Sequence, residues 1–363
     1  MGVYILSQLL HNPSVKKIFC LVRATSERNA LDRVLSSLSL RSLPITNAYK
    51  IVALPSTLGK EDLGLPATVV AELRSSLTHV IHAAWAVNFT LGVRSFEQQH
   101  IRGVQNMINL CLSSRRSSPA EFYFCSSISA AAATPLPANI AEGPIPELAH
   151  AQHMGYARSK LVAERIIHAA AQTTGMVAKV LRIGQIVGDT ATGYWNPTEA
   201  IPLMLQTAKT LGALPALDET PAWLPVDIVA RSILELSGIV PNDNAKVLAH
   251  DPSVVYHVQN SKTFRWTQDL LPALQHAGLK FDILSKREWV QRLRESEQDP
   301  EKNPTIKLLD FFAEKYDNDA PGRSGLTFAM EKTERASPSL KGGVELIESG
   351  LIKRFVTSWA SQW

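Results

Sequence analysis

The chain has 363 residues, 45% hydrophobic and 19% charged, and its 37 basic and 33 acidic side chains leave a formal net charge of +4. The basic residues are scattered, which argues against a nucleic-acid-binding stripe. No apolar run reaches the ~18 residues that a membrane span needs. Three cysteines, Cys20, Cys111 and Cys125, show no metal-ligand spacing and no metal site is expected; with no signal-peptide pattern they fit a reducing, cytoplasmic setting.

Taken in chain order, residues 3–11 have the apolar spacing of a short helix, through Val3, Ile5, Leu6, Leu9 and Leu10. Residues 17–22 read as a buried strand, 26–39 as a helix, 49–54 as a strand and 67–77 as a helix. A strand over 78–82 runs into the loop Ala83-Ala84. A long helix is expected over 96–114, a strand over 122–125, a helix over 155–173 and a strand over 177–183. Strands that alternate with helices form βαβ units around a parallel sheet, and right-handed crossovers wind it on both faces. Beyond residue 190 the alternation breaks. Helices are expected over 199–211, 265–276, 286–295, 304–316 and 344–361, with a last strand at 254–258 and a mobile loop over 317–342. The fold class is therefore α/β. A Rossmann-like doubly wound domain covers residues 1–190, with 224–260 returning to it, and a smaller, mainly helical substrate lobe covers 191–223 and 261–363.

Tyr156 and Lys160 are four residues apart on the predicted helix and share a face. A lysine cation beside a phenol favours phenolate, which makes the phenol a usable acid or base near neutral pH. Such a group must protonate a carbonyl oxygen as hydride reaches its carbon. Ser126 and Ser127 follow a buried strand about thirty residues upstream, at the edge where open α/β sheets hold ligands. A serine hydroxyl there can hydrogen-bond the developing oxyanion. Taken alone, the YxxxK spacing is equally that of a surface helix pair, and the serines equally that of a turn.

The cofactor half is less complete. Arg23 ends the first visible strand, where the dinucleotide rule places the ribose-reading residue, and an arginine there suits the 2′-phosphate of NADPH. Arg33 can assist from the following helix. His82, Ala83 and Ala84 form a strand-end loop that lets backbone approach a cofactor. A dinucleotide fold also wants a glycine-rich turn after a central first strand. Of that turn only Gly2 can be present, and the strand before it is absent. Either more sequence lies upstream in the native protein or the fold has rearranged, since unpaired core edges cost about 1–3 kcal/mol per group.

In combination these segments resemble thioester reductase domains of fungal nonribosomal peptide synthetase-like enzymes and carboxylic acid reductases, within the extended short-chain dehydrogenases. The resemblance runs from Gly2 to Cys20-Leu21-Val22-Arg23-Ala24, through Ile81-His82-Ala83-Ala84-Trp85, to Leu181-Arg182-Ile183-Gly184-Gln185 and Trp223-Leu224-Pro225-Val226-Asp227. It implies NADPH-dependent reductive release of an acyl chain, held on the phosphopantetheine arm of a carrier domain, as an aldehyde or alcohol. It implies Ser127, Tyr156 and Lys160 as catalytic residues, Lys160 also at the cofactor ribose, and Ile183 and Gly184 beside the nicotinamide. Thr57 stands where the family often has an aspartate near the adenine. Two other readings stay open from the residues: an extended short-chain dehydrogenase acting on a free small-molecule carbonyl, and a non-catalytic fragment of a larger synthetase. Trp195, Trp223, Trp266 and Trp289 could line an acyl channel, or be core packing.

Overall fold

The computed structural model describes residues 1–241, 253–318, 325–360 and 362–363. The chain divides into two compact units: Met1–Gly184 with Asp227–Gln259 and Gly325–Gly342, and Gln185–Val226 with Asn260–Ser324 and Gly343–Trp363.

The first unit is the expected parallel α/β layer structure. Its elements are α1 (Gly2–His11), β1 (Ile18–Val22), α2 (Glu27–Ser39), β2 (Ile51–Pro55), α3 (Ala67–Ser76), β3 (His79–His82), α4 (Arg102–Leu112), β4 (Glu121–Ser127), β5 (Ala138–Ile140), α5 (Gly155–Thr174), β6 (Ala178–Ile183), β7 (Ser253–Val258) and β8 (Leu326–Phe328). Each start and stop has a local cause. Ser26 caps α2 by accepting from Asn29 N at 3.2 Å. The long helix α5 ends at Gly175, whose φ of +70° only glycine adopts freely. Residues 122–125 of β4 are an apolar, buried run, and every residue of β6 is buried, as expected of strands covered on both faces.

The sheet is in two pieces. β3, β4, β6 and β7 pair in parallel in the order β7-β6-β4-β3, and among the described residues β1 pairs in parallel only with β2. A cavity of about 910 Å³ lies between β1 and β3.

The second unit has its own core. Trp195, Trp223, Trp266, Trp289, Phe312, Phe355 and Trp359 are buried together there with Met204, Leu205 and Ala208 of the helix Ala200–Thr210. The four tryptophans considered as channel residues are at most 2% exposed and pack on other rings at 5.0–6.4 Å. They are core side chains, as bulky rings usually are.

The other departures from expectation are local. Residues 319–324 of the expected mobile loop lie outside the described residues. Residues 325–342 are ordered into the first unit: β8 pairs in parallel with β5, and a short helix follows at Glu331–Ala336. The buried Glu142 carboxylate holds that helix's first turn, accepting from Thr333 N at 2.8 Å and Lys332 N at 2.6 Å. The C-terminal helix is Leu351–Ala360, shorter than the expected 344–361.

Candidate active site

The candidate residues gather at the carboxyl ends of the parallel strands. β4 delivers Ser126 and Ser127, and the first turn of α5 delivers Tyr156. Gly155 permits that approach. A Cβ there would stand 2.1 Å from Leu91 O, because the loop Leu91–Val93 crosses directly over the helix start. The same loop region lays Phe89 edge-on against Tyr156, with ring centroids 5.6 Å apart.

The Tyr156 phenol lies close enough to the Ser127 side chain to feel its hydroxyl. Ser129 Oγ donates to Ser127 Oγ at 3.0 Å and Ser129 N at 3.2 Å, so two donors of one residue hold the serine hydroxyl. Burial raises the Tyr156 phenol above its ordinary value, and the Ser127 hydrogen bond opposes that shift. Lys160 does not enter the balance as the sequence suggested. Its Nζ lies 5.8 Å from the phenol ring centroid, donates to Cys125 O at 2.6 Å, and sits over the faces of Trp85 at 4.3 Å and Phe124 at 4.6 Å. Burial lowers the ammonium to about 7. The lysine is thus tied to β4, and its charge is held by a carbonyl and two aromatic faces.

A buried polar row lies under the site, none of it expected from sequence apart from Ser126. In the β4-β6-β7 register Ser126 stands opposite Arg182 and Arg182 opposite His257. Glu164, one helical turn after Lys160, accepts from the Ser126 hydroxyl and pairs with Arg182 Nη2 at 2.7 Å. His257 Nδ1 donates to Ala329 O at 2.7 Å, which leaves Nε2 to accept from Arg182 Nη1 at 3.2 Å. Burial lowers His257 to about 4, consistent with a neutral ring. A charged residue inside the apolar run Ala178–Ile183 was the signal in the sequence, since a buried arginine demands a partner.

The cofactor candidates spread along the same edge. Arg23 is exposed just past β1, and Arg33 Nη1 donates to the Arg23 backbone carbonyl at 3.2 Å, which brings the Arg33 guanidinium to the end of that strand. Thr57 is exposed past β2, and Ile183 and Gly184 end β6, with Gly184 N donating to Val258 O at 3.0 Å. Gly2, Arg33, His82, Ala83 and Ala84 line the cavity beside β1 and β3. A Cβ on Gly2 would meet nothing within 4 Å, so nothing in this structure requires glycine there. His82 is buried and lowered to about 3 by burial, then by Lys160 and His100; its Nε2 has no hydrogen-bond partner. It is a neutral ring stacked on Phe124 rather than a proton donor.

The fit of a dinucleotide can be tested against these groups. The first turn of α1 carries no side-chain cap, and uncapped helix N–H groups suit an anion. Arg23 and Arg33 beyond β1 would suit its ribose end, and Ser127, Tyr156 and Lys160 its nicotinamide end. The residues fit both ends of such a cofactor.

A doubly wound parallel sheet with serine, tyrosine and lysine in this relation defines the extended short-chain dehydrogenase/reductase class. Residues 1–233 match the model of the NAD-binding male sterility protein family, and the chain belongs to that family. It is 32% identical over 375 residues to a 3-methylorcinaldehyde synthase of Talaromyces stipitatus, an alignment covering 99% of this chain and 14% of that protein. Among solved structures, the terminal R domain from the myxalamid PKS-NRPS biosynthetic pathway superposes with a TM-score of 0.82 at 22% identity, over 99% of this chain and 88% of that one. A thiolation-reductase di-domain from an archaeal non-ribosomal peptide synthetase superposes with a TM-score of 0.74 at 19% identity, over 99% and 73%. The chain spans 14% to 33% of the length of the curated relatives it matches. It is an oxidoreductase that uses a nicotinamide cofactor, and among the described residues no helix is long and apolar enough to cross a membrane.

Proposed function

We propose that this chain reduces a carrier-bound acyl thioester with NADPH and releases the acyl group as an aldehyde. The observation that carries the reading is the placement of Ser127, at the carboxyl end of β4, beside Tyr156 in the first turn of α5. It places a proton donor and an oxyanion partner at one point, where a carbonyl oxygen can accept from both. The bound cofactor supplies the hydride. Ser127 orients the carbonyl oxygen, and Tyr156 gives it a proton as the acyl carbon is reduced. The resulting hemithioacetal breaks its C–S bond to yield aldehyde and thiol. Lys160 anchors α5 to β4 through Cys125 O and is the group that would hold the ribose hydroxyls.

Preference for NADPH is supported by Arg23, at the strand end where the dinucleotide rule puts the ribose-reading residue, and by Arg33, whose guanidinium reaches the Arg23 carbonyl. A carrier partner is supported by the solved thiolation-reductase di-domain and by relatives several times longer than this chain. The test is a single incubation of the chain with an acyl group loaded on a phosphopantetheinylated carrier, with NADPH or NADH, and chromatography of the products. Aldehyde formed faster with NADPH is expected. Reduction of free aldehydes or ketones with no turnover of the thioester would replace this reading with that of a small-molecule carbonyl reductase.

A further inference from the structure

We propose that Phe89 determines which acyl group is accepted, and that it selects a flat aromatic acyl group over an aliphatic one of equal size. The inference rests on the proposed reading of Ser127 and Tyr156 as the groups that meet the carbonyl oxygen.

The segment that follows β3 is a loop held over the start of α5. Val87, Phe89 and Leu91 are 70%, 42% and 38% exposed, three large apolar side chains in a short stretch. Single exposed apolar residues are ordinary, whereas a cluster of them marks a place that a ligand or partner covers. The polar side chains between them pair inside the loop. Asn88 Oδ1 accepts from Thr90 N at 2.9 Å and from Thr90 Oγ1 at 2.8 Å. Both ends of the loop are anchored. Trp85 Nε1 donates to Ser159 Oγ at 3.2 Å, and Ala86 N donates to His100 Nε2 at 3.3 Å. At the other end, a Cβ on Gly155 would collide with Leu91 O and with the Gly92 carbonyl carbon. The first turn of α5 thus omits a side chain where this loop comes down onto it.

That anchoring puts one ring beside the reacting atoms. Phe89 meets Tyr156 with ring centroids 5.6 Å apart and ring planes at 84°. A hydrogen bond of about 2.7 Å and a C=O bond of about 1.2 Å put the acyl carbon within about 4 Å of the phenol oxygen. The first atoms of the acyl group therefore start beside this pair of rings. Two rings at right angles offer a face and an edge to one corner. A third aromatic ring there gains ring–ring contacts beyond its buried area, which an aliphatic group does not. An aromatic acyl group also carries its ring in the plane of its carbonyl, so few rotatable bonds are immobilised when the oxygen is held. The run 83–92 carries no charged side chain, so it offers no partner to a carboxylate or ammonium on the acyl group.

The test measures binding and turnover separately, with benzoyl-pantetheine and cyclohexanecarbonyl-pantetheine, whose acyl groups have the same carbon count. Binding of each to the full chain is followed by titration calorimetry without cofactor, and product formation with NADPH by chromatography. The parent is expected to bind the benzoyl compound about fivefold more tightly, the size of one edge-to-face ring contact. Phe89→Leu keeps apolar bulk at an exposed site and should bring that ratio to about one, whereas Phe89→Tyr should retain it. Equal binding of the two compounds by the parent, binding of neither, or an unchanged ratio in Phe89→Leu would overturn the proposal. So would equal weakening of both in Phe89→Leu, because Phe89 would then act only as a brace for Tyr156. Phe89-dependent selection with no aldehyde from either compound would remove thioester reduction and leave the selection standing.

Discussion

Lys160 holds its ammonium at 3% exposure against one carbonyl and two aromatic faces. Its folded value of about 7 lies below the ordinary 10.5. Between these values the unfolded chain keeps a proton that the folded chain has released, so stability rises with pH across that window. Below about 7 both states are protonated and the burial cost is fully present. Lys160→Met is therefore expected to melt higher than the parent near pH 6, by at least about 2 °C, with the gap closing toward pH 10. Scanning calorimetry at both pH values checks this, and a gap independent of pH would show that the cation is not the strained group. Tyr156→Phe removes only the phenol oxygen. It is expected to lower turnover by about a hundredfold or more while nicotinamide binding, followed by fluorescence titration, stays within about twofold. Arg23→Ala is expected to raise the KM for NADPH by about tenfold and to leave that for NADH nearly unchanged, as loss of one charge-assisted contact to the 2′-phosphate predicts. Equal losses for both cofactors would remove Arg23 from that role.

At the scale of elements, α5 links the reacting edge to the buried row beneath it. Tyr156, Lys160 and Glu164 recur every four residues along one face of the helix. The face was legible in the sequence as far as Lys160, because YxxxK carries chemistry at a known spacing. It was not legible at Glu164, because a glutamate on a helix is ordinarily solvated, and only the strand register shows that Arg182 faces it. The strands of the sheet could be read for the opposite reason: continuous apolar runs bounded by turns have few other uses. The short pairing of β8 with β5 could not be read, since three-residue strands have no period and Gly-rich surroundings look like loop. Glu164 gives this level its prediction. Glu164→Gln leaves the Arg182 guanidinium buried with no carboxylate, at a cost of about 3–5 kcal/mol. The double replacement Glu164→Leu with Arg182→Met removes both charges and should recover much of that loss. Urea unfolding of the three proteins checks the order; a single variant as stable as the parent would mean that the ion pair contributes nothing.

At the scale of the whole molecule, the hydrophobic clusters of the two units share no member among the described residues. The tryptophan cluster of the second belongs wholly to Gln185–Val226, Asn260–Ser324 and Gly343–Trp363, and the sheet cores belong wholly to the first. Six of the seven tryptophans, all but Trp85, lie in the second unit, so intrinsic fluorescence reports mainly on that unit. Trp289 is its best probe. The ring is fully buried, stands 5.2 Å from Phe312, and donates from Nε1 to Thr207 Oγ1 at 3.0 Å. Truncation to alanine removes that packing and leaves a cavity, at a cost of about 3–5 kcal/mol. If the separate cores unfold separately, Trp289→Ala moves the fluorescence transition to lower urea while amide exchange in β4 and β6 keeps its parental rate. If the cores unfold together, both readouts move by the same free energy, and the division into two cores would then be one of packing and not of stability.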